Sequence, residues 1–197
     1  MPLETVVLEH LPASHAVHLA LFRHVKNAAF LHQQLLHRNA DFEYAFVDAS
    51  VLVSRRQLLS TVFKAVLAAV NGTLKTPNVH SEIVTSLSAS NNIADAYRRF
   101  GISPSTKDLA VVKVTFPTDS SPEPPSSDKI WQHLQTNVQG DAVDATDDNI
   151  GAVTDVAKVR KYYKLNGLNW VEAIQDEKER RTEMEMLILG AMALRGV

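Results

Sequence analysis

The sequence predicts a single α+β domain in which a mainly antiparallel mixed sheet is covered by several helices. Short Val-rich or alternating segments bounded by turn residues indicate strands, whereas longer segments with apolar residues three and four positions apart indicate helices. The chain has 197 residues, of which 45% are hydrophobic and 21% charged, values typical of a globular domain of this size. We therefore expect residues 1–197 to share one fold.

The N-terminal part of the chain predicts a β-hairpin followed by a helix. Residues 5–8 and 16–22 have strand-like composition, and the turn sequence at 12–14 separates them, so they can pair in antiparallel fashion. Residues 27–38 carry apolar side chains at helical spacing, with Asn27 as the N-cap.

The next segment predicts a short strand and a long helix. Residues 51–53 are apolar and lead into Ser54, which together with Gln57 forms a capping box. The helix that follows has a wide apolar face and stops at Asn71-Gly72. So wide a face predicts deep burial.

Residues 74–101 hold the densest information in the chain. Residues 81–88 alternate between apolar and polar side chains, which favours an extended segment. Asn92 can cap a short helix over residues 93–100, and Gly101 can end it in the left-handed conformation.

That short helix is predicted to dock on a core and to present two arginines. Its apolar face is formed by Ile93, Ala96, Tyr97 and Phe100. Arg98 and Arg99 are carried to the other side, where Asp95 in the first turn complements the helix dipole.

The C-terminal half predicts one interior strand and several helices. Residues 109–116 are rich in Val, whereas 117–127 are rich in Pro and Ser and predict a disordered surface loop. Helices are expected at 129–138 and 155–163, and residues 168–197 form a C-terminal helical segment of one or two helices.

Charge divides this C-terminal segment. Residues 176–185 are almost wholly charged and are expected to project from the fold, whereas an apolar stripe returns in the last turns. The stripe can dock on the core or on a partner protein, and its candidate partner-binding residues are Leu187, Ile188 and Ala191.

Three stretches resemble a known family. The central stretch carries Lys75-Thr76, Glu82, LSASNNI at 87–93, Ala96 and Phe100-Gly101-Ile102. FRHVKNA at 22–28 precedes it and VRKYYKL at 159–165 follows it, in the expected order. Together they resemble the PRPK-binding protein (TPRKB-like) family, which supplies the small kinase-associated subunit of the KEOPS complex, also called EKC. The Pro/Ser loop departs from the shorter connection expected in that family.

The resemblance implies a non-catalytic function. The chain would bind the kinase-like ATPase subunit of KEOPS directly and modulate it, and it would meet the other KEOPS subunits indirectly. It would also help hold tRNA for threonylcarbamoylation of the adenosine beside the anticodon. The implied localisation is the cytoplasm and the nucleus.

Two basic groups are candidates for RNA binding. The first consists of Lys75, Arg98 and Arg99, and the second of Arg160, Lys161 and Lys164 beside Tyr162 and Tyr163. Without the resemblance, solvated helix faces are the simpler interpretation of both. With it, RNA contact is favoured, because single-stranded RNA is bound by cations beside aromatic side chains.

Composition limits the other classes of function. The net charge of −2 excludes a uniformly basic nucleic-acid binder, and the absence of cysteine excludes disulfides and thiol chemistry. Histidine spacing favours no metal site, no glycine loop suggests a cofactor, and no apolar run suggests a membrane span. Two alternatives remain: a protein-only adaptor without RNA contact, and an enzyme acting on a small anionic ligand near Asn91 and Asn92.

Overall fold

The computed structural model describes residues 2–119 and 121–195. Within them the five strands are β1 (Glu4–Val6), β2 (Ala16–Arg23), β3 (Ala45–Asp48), β4 (Leu109–Thr115) and β5 (Asp141–Val143). The helices are α1 (Ala28–Leu36), α2 (Arg55–Val70), α3 (Val79–Ser86), α4 (Ile93–Phe100), α5 (Ser127–Asn137), α6 (Asp147–Gly151), α7 (Val156–Tyr162), α8 (Asn169–Glu172) and α9 (Glu177–Ala193). Short 3-10 turns span Ala40–Phe42 and Ala49–Val51. The predicted α+β class is confirmed.

The strands form one sheet in the order β1-β2-β4-β3. Each pairing among the described strands is antiparallel, so the sheet is more regular than the mixed sheet expected. β1 pairs with the first part of β2, and β5 pairs with its last part, opposite Leu21, Phe22 and Arg23. The predicted hairpin between β1 and β2 is confirmed, as is the interior position of β4.

The sheet separates two hydrophobic cores. Along β2, Leu19 and Leu21 point into the core beneath α2, α3, α4, α7 and α9, whereas Ala20 and Phe22 point into the core beneath α1 and α5. Because both faces of β2 and β4 are covered, their sequences are nearly continuous apolar runs.

Helix α2 begins and ends as the sequence predicts. The Ser54 hydroxyl accepts a hydrogen bond from the Gln57 amide at 3.0 Å, and the Gln57 side chain accepts one from the Val53 amide at 2.8 Å. The helix ends before Gly72, which has a φ of 66°. In the usual capping box, the Gln57 side chain would accept from the backbone amide of the N-cap residue Ser54. Here it accepts from the amide of Val53, one residue earlier.

The prediction of an extended segment at residues 81–88 is wrong, because α3 occupies most of it. Asn78 caps this helix by accepting a hydrogen bond from the Ser81 amide at 2.8 Å. Residues Val79, His80 and 82–86 are buried, so the helix is enclosed on nearly all sides. A helix enclosed in this way lacks the one-sided apolar stripe on which sequence interpretation depends.

Two further details of the prediction are corrected. Residues 51–53 are not a strand, since the strand in this region is β3 and a 3-10 turn follows it. Gly101 is not left-handed: its φ is −75° and it forms an isolated bridge with Val47. Glycine is required there because a Cβ atom would lie 2.8 Å from the Tyr97 carbonyl oxygen.

The remaining elements follow the predicted order. Asn27 occupies the N-cap position of α1, but its side chain bonds instead to the backbone of Asn137 and Gln139. The C-terminal segment forms two helices, α8 and α9. Between β4 and α5, the backbone of Thr118 pairs with Ser121, and the predicted disorder of residues 117–127 stays a prediction.

Candidate functional site

Helix α4 presents Arg98 outward, as predicted, whereas Arg99 is partly buried. The Asn92 side chain caps the helix by accepting from the Asp95 amide at 3.0 Å, and Ala96 and Phe100 are buried. The predicted burial of Ile93 and Tyr97 is only partial, since they are 36% and 37% exposed. The inner face of α4 is therefore narrow, which leaves most of the helix surface open.

Both arginines of α4 share one carboxylate. Asp95 pairs with Arg98 and, at 2.7 Å, with Nε of Arg99. The Arg98 side chain is 74% exposed and that of Arg99 is 31% exposed. Hydrogen bonds from these guanidinium groups, Arg98 first, lower the pKa of Asp95. The carboxylate thus offsets part of the positive charge that α4 offers to a ligand.

A contact between α4 and α7 brings the two arginines of the first basic group beside the second group, whereas Lys75 lies on a separate loop. The Arg99 guanidinium lies 5.2 Å from the ring centroid of Tyr162, within cation–π range. The Phe100 ring meets the same tyrosine edge to face at 5.8 Å. We call the surface formed by Arg98, Arg99, Arg160, Lys161 and Lys164 the basic face.

The α7 part of the basic face contains the cations that are least neutralised. Arg160 pairs with Glu172 of α8. Lys161 and Lys164 are exposed, and neither has an ion pair within residues 2–119 and 121–195. Lys164 has a φ of 57°, which turns the chain sharply after α7.

Lys75 lies on the loop between α2 and α3, where Glu82 fixes the backbone. The Glu82 carboxylate accepts from the amides of Lys75 and Thr76, both at 3.0 Å, and from the Thr76 hydroxyl at 2.7 Å. The Lys75 residue itself is exposed. Sequence interpretation missed the role of Glu82, because a carboxylate that turns back onto a preceding loop leaves no periodic signal.

Tyr163 does not serve as a stacking surface. Tyr163 is buried. Its hydroxyl donates a hydrogen bond to the Leu87 carbonyl at 2.5 Å and accepts one from the side-chain amide (Nε2) of Gln57 at 2.9 Å. Burial raises its pKa well above the ordinary tyrosine value. This residue joins α2, α3 and α7 within the core.

The predicted partner-binding residues lie on the inner side of α9. Ile188 is 0% exposed and belongs to the core with Met184 and Met192, and its role as a partner contact stays a prediction. Leu187 and Ala191 are partly buried against the same core. A partner role for these two stays a prediction.

Polar contacts hold α9 against α2 and the two residues that precede α2. Near its start, Arg181 donates to the Val53 carbonyl at 2.9 Å. In its middle, Glu185 accepts from the Ser54 hydroxyl at 2.6 Å. At its end, Lys64 donates to the Met192 carbonyl at 3.0 Å. The charged first half of α9 is therefore partly engaged with the fold and does not simply project from it.

Comparison with known proteins decides the family to which this chain belongs. A sequence model described as kinase binding protein CGI-121 matches residues 22–196. The chain belongs to the CGI-121 family. Relatives named EKC/KEOPS complex subunit CGI121 include a Gibberella zeae protein that is 71% identical over 197 residues, with all of both chains covered. A Neurospora crassa relative is 49% identical with both chains fully covered, and one from Aspergillus fumigatus is 48% identical, covering 100% of this chain and 98% of its own. The family resemblance is confirmed.

This CGI-121 family member has an apolar outer surface on α9. Met186 is 57% exposed and Leu194 is 69% exposed. A cleft of about 310 Å³ also opens between α2 and α9, lined by Ser60, Thr61, Lys64, Ser86, Leu189, Met192 and Ala193. Apolar groups with a few polar neighbours are typical of protein contact surfaces.

The Asn-rich turn, where the enzyme alternative would place a ligand, lies outside the two clefts described for this protein. Asn91 and Asn92 are exposed, and neither lines the α2–α9 cleft or a second cleft beside Phe63. In the described part of the chain, no three His, Asp or Glu side chains are grouped so as to hold a metal ion. None of the helices described there combines the length and apolarity that crossing a bilayer requires.

Proposed function

We propose that this chain is a non-catalytic subunit of a KEOPS/EKC complex. In this proposal it binds and modulates the kinase-like ATPase subunit, meets the other subunits through it, and helps hold tRNA for threonylcarbamoyl-adenosine formation. The observation that carries the RNA part is the Arg99–Tyr162 contact, which joins two basic groups more than 60 positions apart in sequence into one face.

The RNA part is supported by the charge of the basic face. Asp95 and Glu172 offset only part of its positive charge, while Lys161 and Lys164 have no carboxylate partner among the described contacts. Cations of this kind displace counterions from a phosphate backbone, which contributes about 0.7 per phosphate contact to the salt dependence of single-stranded binding. The protein as a whole carries a net charge of −2, so binding would be confined to this face.

The test of the RNA part is tRNA binding by the purified chain at several salt concentrations. Lys161→Ala with Lys164→Ala should weaken binding and reduce the slope of log affinity against log salt by roughly one unit. Lys107→Ala with Lys129→Ala is the matched control, since it removes the same charge from exposed lysines outside the basic face. Equal effects in both double variants would contradict a dedicated RNA surface.

In this proposal, the kinase-like subunit binds the outer surface of α9 and the cleft between α2 and α9. The CGI-121 family is described as kinase binding, and Met186, Leu189 and Leu194 offer apolar area that a protein partner would cover. Leu187 and Ala191, which are partly buried against the core, are further contacts in this proposal.

The test of the partner part is a pull-down with the kinase-like subunit and a measurement of its ATPase rate. Leu189→Glu should abolish or strongly weaken capture and modulation, because a charge would be desolvated in the contact. Leu36→Glu on α1 is the control, since Leu36 is 61% exposed beside the opposite core. Undiminished capture by the Leu189 variant would remove α9 from the interface. The chain alone should hydrolyse no ATP.

A protein-only adaptor is the second candidate function. It is favoured by one observation, which is that Arg98, Arg99 and Arg160 are already ion-paired within the chain. Kinase capture without salt-dependent tRNA binding would support it.

We also propose that the protein acts in the cytoplasm and the nucleus. A KEOPS subunit would follow its complex and its tRNA substrate to both compartments. Imaging of a tagged full-length chain tests this, and confinement to any other compartment would contradict it.

A further inference from the structure

Arg195, which follows α9, carries a buried guanidinium group with two nitrogens that make no hydrogen bond. The residue is 8% exposed. Its Nη1 atom donates to the Thr85 carbonyl of α3. Its Nε and Nη2 atoms are buried, and neither finds an acceptor anywhere in the part of the chain that the structure describes. A buried cation with so few partners is costly, because its lost hydration is not replaced.

Glu82 of α3 is the carboxylate whose charge acts on Arg195. The hydrogen bonds described for that carboxylate go to the amides of Lys75 and Thr76 and to the Thr76 hydroxyl. Burial lowers the pKa of Arg195, and the charge of Glu82 only partly opposes this shift. The positive charge of Arg195 is therefore left incompletely balanced.

A second cation, Lys64 of α2, lies beside Arg195. Its Nζ atom donates to the Met192 carbonyl at 3.0 Å and to the Arg195 carbonyl at 3.5 Å. Lys64 and Met192 line the cleft between α2 and α9, and so does Ser86, the neighbour of Thr85. Arg195 thus lies next to this cleft, with its carbonyl on Lys64 and its guanidinium group on Thr85.

The two nitrogens without an acceptor are the pair that fits a carboxylate. In an arginine side chain, the Nε–H bond and one Nη2–H bond point in the same direction and can donate two parallel hydrogen bonds to two carboxylate oxygens. In Arg195 the Thr85 carbonyl occupies Nη1, so this edge is the one that is left. Exclusion of water would strengthen such a pair, because the local dielectric is low.

We propose that Arg195 binds an acidic side chain of the kinase-like subunit, with the Asp or Glu carboxylate of that partner bridging Nε and Nη2. This inference rests on the proposed binding of the kinase-like subunit to α9 and identifies the chemistry of one partner group. The adjacent Leu194 is 69% exposed and Leu189 lines the cleft, so apolar contacts would surround the charged pair and exclude water from it.

The two nitrogens are covered in the free chain, so the partner reaches them only if the last turn of α9 shifts. Helix ends open locally at low cost. The shift exchanges a buried cation with one hydrogen bond for a cation that is paired with a carboxylate.

Arg195→Met should change the stability of the free chain and its partner binding in opposite directions. It removes a poorly paired buried charge, and the Thr85 carbonyl keeps the hydrogen bond from the Ser88 amide at 3.1 Å. The melting temperature should therefore rise by about 3 °C or more. Capture of the kinase-like subunit should weaken by about tenfold or more, because the partner carboxylate would be buried without a cation.

Lys178→Met is the matched control. It removes one positive charge from an exposed position in the first turn of α9 and should change neither measurement. An arginine with a merely structural role would lose stability on substitution, so a lower melting temperature of Arg195→Met would overturn the inference.

A double-mutant cycle identifies the partner group. Each surface Asp and Glu of the kinase-like subunit is changed to Ala, and its affinity is measured for the wild-type chain and for Arg195→Met. One of these changes should weaken binding to the wild-type chain and have little further effect on the variant. If every acidic substitution acts equally on both chains, the inference is overturned.

Two further arms test other sources of the carboxylate or anion. Sodium phosphate or sodium acetate is compared with sodium chloride at equal ionic strength. Thermal stabilisation that requires Arg195, while capture does not, would assign the site to a small free anion and overturn the inference. A Gly-Ser extension after Val197 moves the terminal carboxylate of the purified chain. If it lowers the melting temperature of the wild-type chain but not of Arg195→Met, the chain fills its own site, which also overturns the inference.

Failure of this inference can be distinguished from failure of the proposed function. If Leu189→Glu abolishes capture but Arg195→Met leaves the affinity unchanged, the inference is overturned and the proposed binding at α9 stands. If the wild-type chain captures no kinase-like subunit, both are overturned.

Discussion

Helix α9 and the α4–α7 pair pack on the same core but offer different surfaces to their surroundings. α9 buries Met184, Ile188 and Met192 and exposes further apolar side chains on its outer side. The α4–α7 pair buries Phe100 and Val159 and exposes cations. The first surface would gain from losing water to an apolar partner, and the second from meeting a polyanion. Because the two surfaces differ in this way, we propose that one small domain binds both a protein partner and RNA.

The largest expected effect tests which side of α9 is core. Ile188→Ala should lower the free energy of unfolding by about 2–5 kcal/mol, because it leaves a cavity at a fully buried site. Met186→Ala, two positions away and 57% exposed, should change it by less than about 0.5 kcal/mol. Urea unfolding measures both. Similar losses in the two variants would mean that α9 is not docked as described.

A smaller loss is expected where α7 meets the core. Tyr163→Phe keeps the ring but leaves the Leu87 carbonyl and the Gln57 amide without their partner, so we expect a cost of about 1–3 kcal/mol. Tyr162→Phe is the adjacent control and should be nearly neutral, because the contacts that we describe for Tyr162 involve its ring. Equal stability of both variants in thermal unfolding would contradict a structural role for the Tyr163 hydroxyl.

We expect acid to destabilise the protein through His80, which lies on α3. Its Nε2 accepts from the Val114 amide at 3.0 Å, and its Nδ1 lies 3.6 Å from Glu43, with Lys113 close to that carboxylate. Burial lowers the pKa of His80 below its ordinary value of 6.5. The unfolded chain therefore binds a proton more readily, and the stabilisation present above about pH 6.5 is lost as the pH falls below it.

The pH dependence can be assigned by comparison with a variant. His80→Gln, which can still accept from Val114, should flatten the fall in unfolding free energy between about pH 6.5 and 5, by at most about 1.4 kcal/mol per pH unit. Urea unfolding at several pH values measures this. An unchanged slope would show that other groups cause the acid sensitivity.

The smallest expected effect on stability concerns the basic face. Arg98→Ala with Arg99→Ala should leave the melting temperature nearly intact, because ion pairs to a surface carboxylate contribute little to stability. It should weaken tRNA binding and reduce its salt slope by roughly one unit. Asp95→Asn should do the opposite and tighten binding at low salt, since it frees both arginines. If neither variant changes tRNA affinity, α4 is a solvated face and Lys161 and Lys164 remain the candidates.

The sequence by itself determined the features that local chemistry controls. Helices α2 and α4 begin after Ser54 and Asn92, because the side chain of each of these residues accepts a hydrogen bond from a backbone amide in the first turn of its helix. The Val-rich run of β4 predicted an interior strand, and the outward position of Arg98 followed from helical spacing. The family signature was likewise readable in the chain, because it is a pattern of residues.

The tertiary structure alone decided the features that depend on distant partners. Helix α3 is enclosed by neighbours on nearly all sides, so its sequence alternates without forming a strand. An apolar stripe at helical spacing fits a core as well as a partner, and only the docking of α9 on α2 placed Ile188 inside. The meeting of Arg99 with Tyr162, and of Glu172 with Arg160, depends on how helices pack. Local spacing fixes the direction of a side chain on its own helix, whereas the surface that it meets is set by elements distant in sequence.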